Sequence, residues 1–246
     1  MAVNVDIVYK TVLLILNQQQ RGYMTPDEFN KTATQVQLTI FEGYASDLNQ
    51  QYRLPDNDTE YGDRVKNIEQ KLQFFQKYIN NAAVPAAITG ANPFTIDLTV
   101  VTDLYRLGSV MYQGVQLGQY SQRNEVTQLF LSPLTQPTEN FPIYLYESGQ
   151  IFVFPNTIIT PNDINISYLA TPTNVVWDYT TGGLGQYIFD PVGGAGSLST
   201  NFELDISEQT EIILRILAYA GIIIQDPSIV QMASQAVATE DANEKS

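Results

Sequence analysis

The sequence predicts an α+β fold: a helical bundle formed by residues 1–83 together with 205–246, and a β-rich domain inserted between them over residues 84–204. Three observations carry that prediction. Apolar residues recur at helical spacing toward both ends of the chain. After Val84-Pro85 the period drops toward two. About 120 residues separate Val84 from Leu204, far more than a connection inside a compact domain needs, so the middle has to fold as something of its own.

The elements follow in order. Val5, Val8, Val12, Ile15 and Leu16 trace one face of a first helix, and the polar run Gln18-Gln19-Gln20-Arg21 before Gly22 supplies its stop. Thr25 then reads as an N-cap, because Pro26 loses nothing at a first helical position and Glu28 can reach back to close a capping box. Phe29, Ala33, Val36, Ile40, Tyr44 and Leu48 carry this second helix to Leu54-Pro55. A polar turn at Asp56–Thr59 leads to a third helix with Val65, Ile68, Leu72, Phe75 and Ile79 facing inward, completing an antiparallel set.

In the middle region, Thr95 to Val101 alternates as a half-buried strand, Leu104 to Met111 reads as another, and residues 121–131 as a short helix. The clearest element is a hairpin: Ile143-Tyr144-Leu145-Tyr146, a turn with Gly149 at the left-handed position, then Ile151-Phe152-Val153-Phe154, ended by Pro155. Ile164, Ile166 and Tyr168 form a further strand that leaves through Pro172 and Trp177. The glycines between Gly182 and Gly196 predict a loop without packed periodicity. Two helices close the chain, one from Asp205 and one from Asp226-Pro227-Ser228, and the polar residues from Thr239 to Ser246 read as frayed.

Composition narrows the function classes. The net charge of −14 is unevenly spread: residues 1–83 hold 10 acids and 8 bases, residues 84–204 hold 9 and 2, and residues 205–246 hold 7 and 2. Tight nucleic-acid binding needs clustered Lys and Arg to neutralise phosphates, and beyond Lys77 only Arg106, Arg123, Arg215 and Lys245 carry positive charge. An acidic wall past which DNA slides remains compatible with this balance. Without cysteine there is no thiolate metal site or thiol catalysis, and histidine is absent as well. The start Met1-Ala2-Val3-Asn4 lacks a secretory pattern, and no apolar run is long and uninterrupted enough for a membrane span.

The chemical motifs fall short of a catalytic or cofactor site. Asp56-Asn57-Asp58-Thr59-Glu60 imitates a calcium loop, but Tyr61 stands where the turn needs glycine and Asn67 where it needs a bidentate glutamate. Gly193-Gly194-Ala195-Gly196 has neither a following Gly-Lys-Ser/Thr nor dinucleotide spacing around it. No carboxylate pair stands out as a glycosidase couple, so no enzyme, metal or cofactor is expected. The residues expected to touch partners are the hairpin aromatics Tyr144, Tyr146, Phe152 and Phe154, and Val230 and Val237 on the last helix. With Tyr168 the hairpin rings form either a carbohydrate-stacking face or the two sides of a packed strand layer. The last helix has only a weak apolar face, Val230, Ala233 and Val237, which suits a docking element.

The stretch Asn17–Asn30 (NQQQRGYMTPDEFN), Ala33–Leu38 (ATQVQL), Ser132–Thr138 (SPLTQPT), the hairpin end Val153-Phe154-Pro155, Tyr168–Trp177 and Ala218–Ser228 together span most of the chain. In their order and character they resemble the head–tail connector or ring proteins of crAss-like and related podoviruses that infect Bacteroidota. The chain departs from that pattern at Ala170-Thr171-Pro172-Thr173-Asn174, where basic residues are expected. The resemblance implies a virion protein of the neck or tail, assembled in the host cytoplasm. It implies a ring of about twelve copies between the portal and the adjacent neck or tail proteins, around the DNA exit path. The alternative is a virion surface protein that binds carbohydrate or a receptor.

Overall fold

The computed structural model describes residues 2–18, 23–53, 59–79, 93–114, 116–158, 164–224 and 227–244. Its class is α+β: three N-terminal helices pack with two C-terminal ones, and the β-sheets lie between them in the chain. Two compact units result, Met1–Phe74 with Pro172–Ser246, and Phe75–Thr171. Sequence reading set the limits of the insertion at residues 84 and 204.

In the helical unit, α1 (Val5–Gln18), α2 (Pro26–Arg53) and α3 (Thr59–Leu72) are followed, late in the chain, by α5 (Gln209–Ile224) and α6 (Pro227–Glu244). The capping box at α2 is present: Thr25 N–H and Oγ1–H donate to the Glu28 carboxylate at 2.8 and 2.7 Å, and Glu28 N–H points back at Thr25 Oγ1 at 3.4 Å. Phe29, Ala33, Val36 and Ile40 are buried along one face, joined by Val5, Val8, Val12 and Leu16 of α1 and Ile212 and Ile216 of α5. The Asp205 carboxylate accepts from Ile206 N–H at 2.8 Å and starts a 3-10 turn, Ile206–Glu208, that runs into α5.

A second stripe of α2 is polar and yet packed. Asn30, Thr34 and Gln37 recur at i, i+4 and i+7, so they share a face, and each hydrogen-bonds the backbone of the extended segment Thr173–Trp177. Thr34 Oγ1 receives Val175 N–H at 3.1 Å. Gln37, fully buried, donates to Thr173 O and accepts from Glu203 N–H, both at 2.8 Å. Helix side chains here take the place of a neighbouring strand and satisfy peptide groups that burial would otherwise leave costly. The chain start joins the same region: Val3 exchanges backbone bonds with Leu204 and Phe202 at 3.3 and 3.2 Å.

The β unit has two four-stranded sheets, built from β1 (Gln76–Ile79), β2 (Phe94–Asp97), β3 (Leu104–Tyr112), β4 (Gln116–Leu117), β5 (Gln119–Tyr120), β6 (Ile143–Glu147), β7 (Gln150–Phe154) and β8 (Ile164–Ala170), with α4 (Arg123–Leu131) after β5. One sheet runs β1-β8-β3-β4 and the other β2-β7-β6-β5, all antiparallel except β5 against β6. Their inner faces supply a single apolar core: Phe94, Ile96, Ile151 and Val153 from one sheet, Val110, Tyr112, Ile164 and Ile166 from the other. Gly118 joins β4 to β5 where the chain passes from sheet to sheet. A Cβ there would lie 3.2 Å from the Tyr144 ring and 3.3 Å from Val110 O, so the corner is tight enough to favour glycine. The β6–β7 turn places both Ser148 and Gly149 at positive φ, 52° and 74°, as a two-residue hairpin requires.

Several expectations are corrected. The third helix ends at Leu72; Ile79 belongs to β1, which pairs with β8, because aromatic and β-branched residues gain more on a sheet than in a marginal helical turn. Asp97 accepts from Thr99 N–H and Oγ1–H at 2.9 and 2.6 Å, which ends β2 and turns Leu98–Val100 into a 3-10 turn in place of a strand to Val101. The glycine-rich region contains a hairpin in the helical unit, β9 (Tyr179–Thr181) and β10 (Tyr187–Phe189), with Gly182 N–H bonded to Gln186 O at 2.8 Å. The last helix continues past Thr239 to Glu244. The Gly22 stop, Asp56, Asn57 and Asp58 of the polar turn, and the Asp226 cap lie outside the described residues.

Candidate functional site

Strands β3 and β6, with β5, place four tyrosines around one cleft. β5 runs beside β6 with Tyr120 opposite Tyr144, and the chain then leaves the sheet for α4. On β6 the period of two puts Tyr144 and Tyr146 on the same face. On β3 the pairing with β8 shifts between Leu104 and Arg106 and again between Leu107 and Val110. These irregularities break the simple alternation and let Leu104, Tyr105, Arg106 and Leu107 all line the same space. The cleft has a volume of about 380 Å³ and includes Tyr105, Tyr120, Tyr144 and Tyr146.

The rings are graded in exposure. Tyr144 is buried, Tyr146 half-buried, Tyr105 42% exposed and Tyr120 53% exposed, so the cleft passes from a packed floor to a wet rim. Tyr120 and Tyr144 meet edge to face with ring centres 5.8 Å apart. Burial, and secondarily the neighbouring Tyr120, push the Tyr144 phenol above its ordinary range. It therefore stays protonated and can donate a hydrogen bond at any physiological pH. Among the described residues no carboxylate lines the cleft, and Arg106 is the charged residue in its wall. Aromatic side chains around a concave space, with one perturbed titratable group, are features of a binding site.

The six residues expected to touch partners do not form one surface. Tyr144 and Tyr146 line the cleft, while Phe152 and Phe154 lie on the opposite face of the same sheet by the hairpin register. There Phe154 meets Phe130 of α4 edge to face at 5.5 Å, and Arg123 at the start of α4 pairs with Glu147. Tyr168, on the other sheet, donates to the Asp103 carboxylate at 3.3 Å. Val237 belongs to the helical unit, in a groove of about 270 Å³ with Val36, Ala218 and Tyr219. Val230 lies in α6, its side chain outside the described residues. Tyr105, Arg106 and Tyr120 escaped the sequence reading: one bulged strand and one two-residue strand give no period that would mark them as one group.

The helical unit contains a second polar cluster. Glu208 and Glu211, both buried, hydrogen-bond each other through their carboxyl groups. Lys71 Nζ of α3 lies 3.1 Å from Glu208, and the Arg215 guanidinium 2.5 Å from Glu211. Lys71 also sits over the Tyr44 ring, 5.0 Å from its centre. Burial raises Glu211 to about 7, against the pull of Arg215. Glu208 is held below the ordinary range because the Tyr44 hydroxyl and Lys71 outweigh its own desolvation. The cluster joins the start of α5 to α3, and its Arg215 also lines the groove beside Val36, Ala218 and Tyr219.

Large apolar side chains stand uncovered on both units. Leu131, Leu134 and Phe141 of the β unit are 80, 97 and 79% exposed, and Leu184, at the tip of the β9–β10 hairpin, is 95% exposed. No helix among the described residues is long and apolar enough to cross a membrane. Neither a protein-family model nor a curated protein matches the chain.

Proposed function

We propose that this chain is a non-enzymatic structural virion protein: a subunit of an oligomeric ring that connects portal and tail and lines or surrounds the DNA exit path. The observation that supports it best is the high exposure of three large apolar side chains within eleven residues of chain, Leu131, Leu134 and Phe141, which would mark a surface that a partner covers if they lie together. Leu184 on its two-stranded hairpin gives the helical unit a similar feature. A patch that meets a different patch on the next copy is heterologous, and such contacts close into rings when the rotation permits. Many small contacts that must release together then hold strongly. The acidic balance suits a channel wall that DNA passes without adhering, since like charges repel within a screening length of about 8 Å. The neighbours in this reading are further copies, the portal and the adjacent neck or tail proteins, and the place of assembly is the bacterial cytoplasm.

Negative-stain electron microscopy of the purified chain, with its sedimentation behaviour, tests the reading. Closed rings of about twelve copies are expected. A monomer at every concentration, together with failure to bind portal or tail proteins in co-expression, would overturn it.

A further inference from the structure

We infer that the tyrosine-lined cleft of the β unit is a saccharide-binding site, taking one or two pyranose rings of a neutral glycan. The assignment concerns a site that a ring subunit and a free monomer could equally carry, so it stands apart from the connector reading.

The cleft selects its guest by exclusion and by fit. Among the described residues no carboxylate lines it, so none of them offers a counter-charge to a metal ion or an organic cation. A purely apolar guest offers no partner to any phenol hydroxyl that it covers, at the cost that buried polar groups incur. A sugar ring matches both properties: its C–H face lies on aromatic surface while its hydroxyls meet phenol groups. The exposure gradient gives each ring a part. Tyr144 at the floor is fixed by its edge contact with Tyr120, Tyr120 and Tyr105 offer exposed surface for stacking, and Tyr146 lies between. About 380 Å³ is at the small end of ligand sites, which limits the guest to one or two rings.

The test uses the full chain and three neutral probes of different configuration: maltotriose, the disaccharide of N-acetylglucosamine, and xylotriose. Saturation-transfer NMR is run on each, and a decaproline peptide, another guest of aromatic-lined grooves, is run alongside. Transfer to at least one saccharide is expected, with weakening of about 3-fold to 10-fold in Tyr120→Ala and Tyr105→Ala. Tyr120→Phe, which keeps the ring, should retain most of the binding. Should the alanine variants misfold by circular dichroism, the shifts of wild-type tyrosine ring resonances on titration give the same reading. Absence of transfer from all three sugars overturns the inference, as does binding that both alanine variants leave unchanged. Binding of the peptide with none of the sugars assigns the cleft to a protein partner and overturns it too. Closed rings that bind no sugar defeat this inference alone, whereas a sugar-binding monomer that binds no portal or tail protein defeats only the connector reading.

Discussion

The Asn30 carboxamide and the peptide groups of Trp177 exchange two hydrogen bonds: Trp177 N–H donates to Oδ1 at 2.8 Å, and Nδ2–H donates to Trp177 O at 3.2 Å. The two residues lie 147 positions apart and both contacts are part-buried. Trp177 also donates its indole N–H to Asp6 at 3.1 Å and packs against Tyr9 at 4.4 Å between ring centres. Asn30 of α2, with Asp6 and Tyr9 of α1, thus holds a late segment of the chain to the first two helices.

Asn30→Ala should remove both bonds and leave a donor and an acceptor without their partners. A loss of about 1–3 kcal/mol is expected from denaturant unfolding. Trp177 is the chain's one tryptophan, so its fluorescence reports the same site directly. An unchanged midpoint with unchanged emission would mean that the paired amide contributes nothing.

Thr25→Ala should cost about 0.5–2 kcal/mol by removing the cap of α2. The effect should depend on pH through Glu28, whose carboxyl is held below its ordinary value of 4.5 by the Thr25 hydroxyl and N–H. A depressed carboxyl stabilises the fold above its unfolded pKa, and that stability is lost as pH falls through the folded value. The gap between wild type and variant should therefore narrow in acid. A constant gap down to about pH 2 would disprove the role of Glu28.

Glu211 should act in the opposite direction. Its pKa is raised from 4.5 to about 7, chiefly by burial, so the folded chain holds a proton there that the unfolded chain has released. Its contribution is complete below the unfolded pKa and is lost as pH rises through the folded one. Glu211→Gln keeps the shape of the neutral acid. Melting curves between about pH 4.5 and 7 should show the variant without the decline that Glu211 gives the wild type. Parallel curves would refute the assignment.

Gly108→Ala should destabilise the β unit. A Cβ at this position would lie 2.8 Å from Ser167 Oγ and 2.9 Å from Ser167 O, so strand backbone would have to move. The same Ser167 hydroxyl accepts from Ser109 N–H at 2.9 Å, which fixes the bulge that brings Leu104–Leu107 to the cleft. The expected loss is about 1–3 kcal/mol. Thermal unfolding of the variant at the wild-type temperature would show that the strands separate freely here.

Leu134→Asp probes the connector reading without touching a core. At 97% exposure its effect on monomer stability should stay within about 0.5 kcal/mol, while the variant should form fewer rings or none. Normal assembly of the variant would remove Leu134 from the contact.

Local chemistry determined the parts of this protein that depend on neighbours in sequence. The α+β class, the capping box at Thr25 and Glu28, the apolar faces of α1 and α2, and the Tyr144–Phe154 hairpin all follow from spacing, caps and turn residues, whose physics acts over a few positions. Tertiary structure decided what depended on partners far along the chain. Gln76–Ile79 became a strand because β8 was there to pair with it, and Asn30, Thr34 and Gln37 had backbone to bind only once Thr173–Trp177 lay against α2. The cleft was set in the same way. Two bulges on β3 and a two-residue β5 brought Tyr105 and Tyr120 to Tyr144 and Tyr146, a meeting that no periodicity within any one segment records.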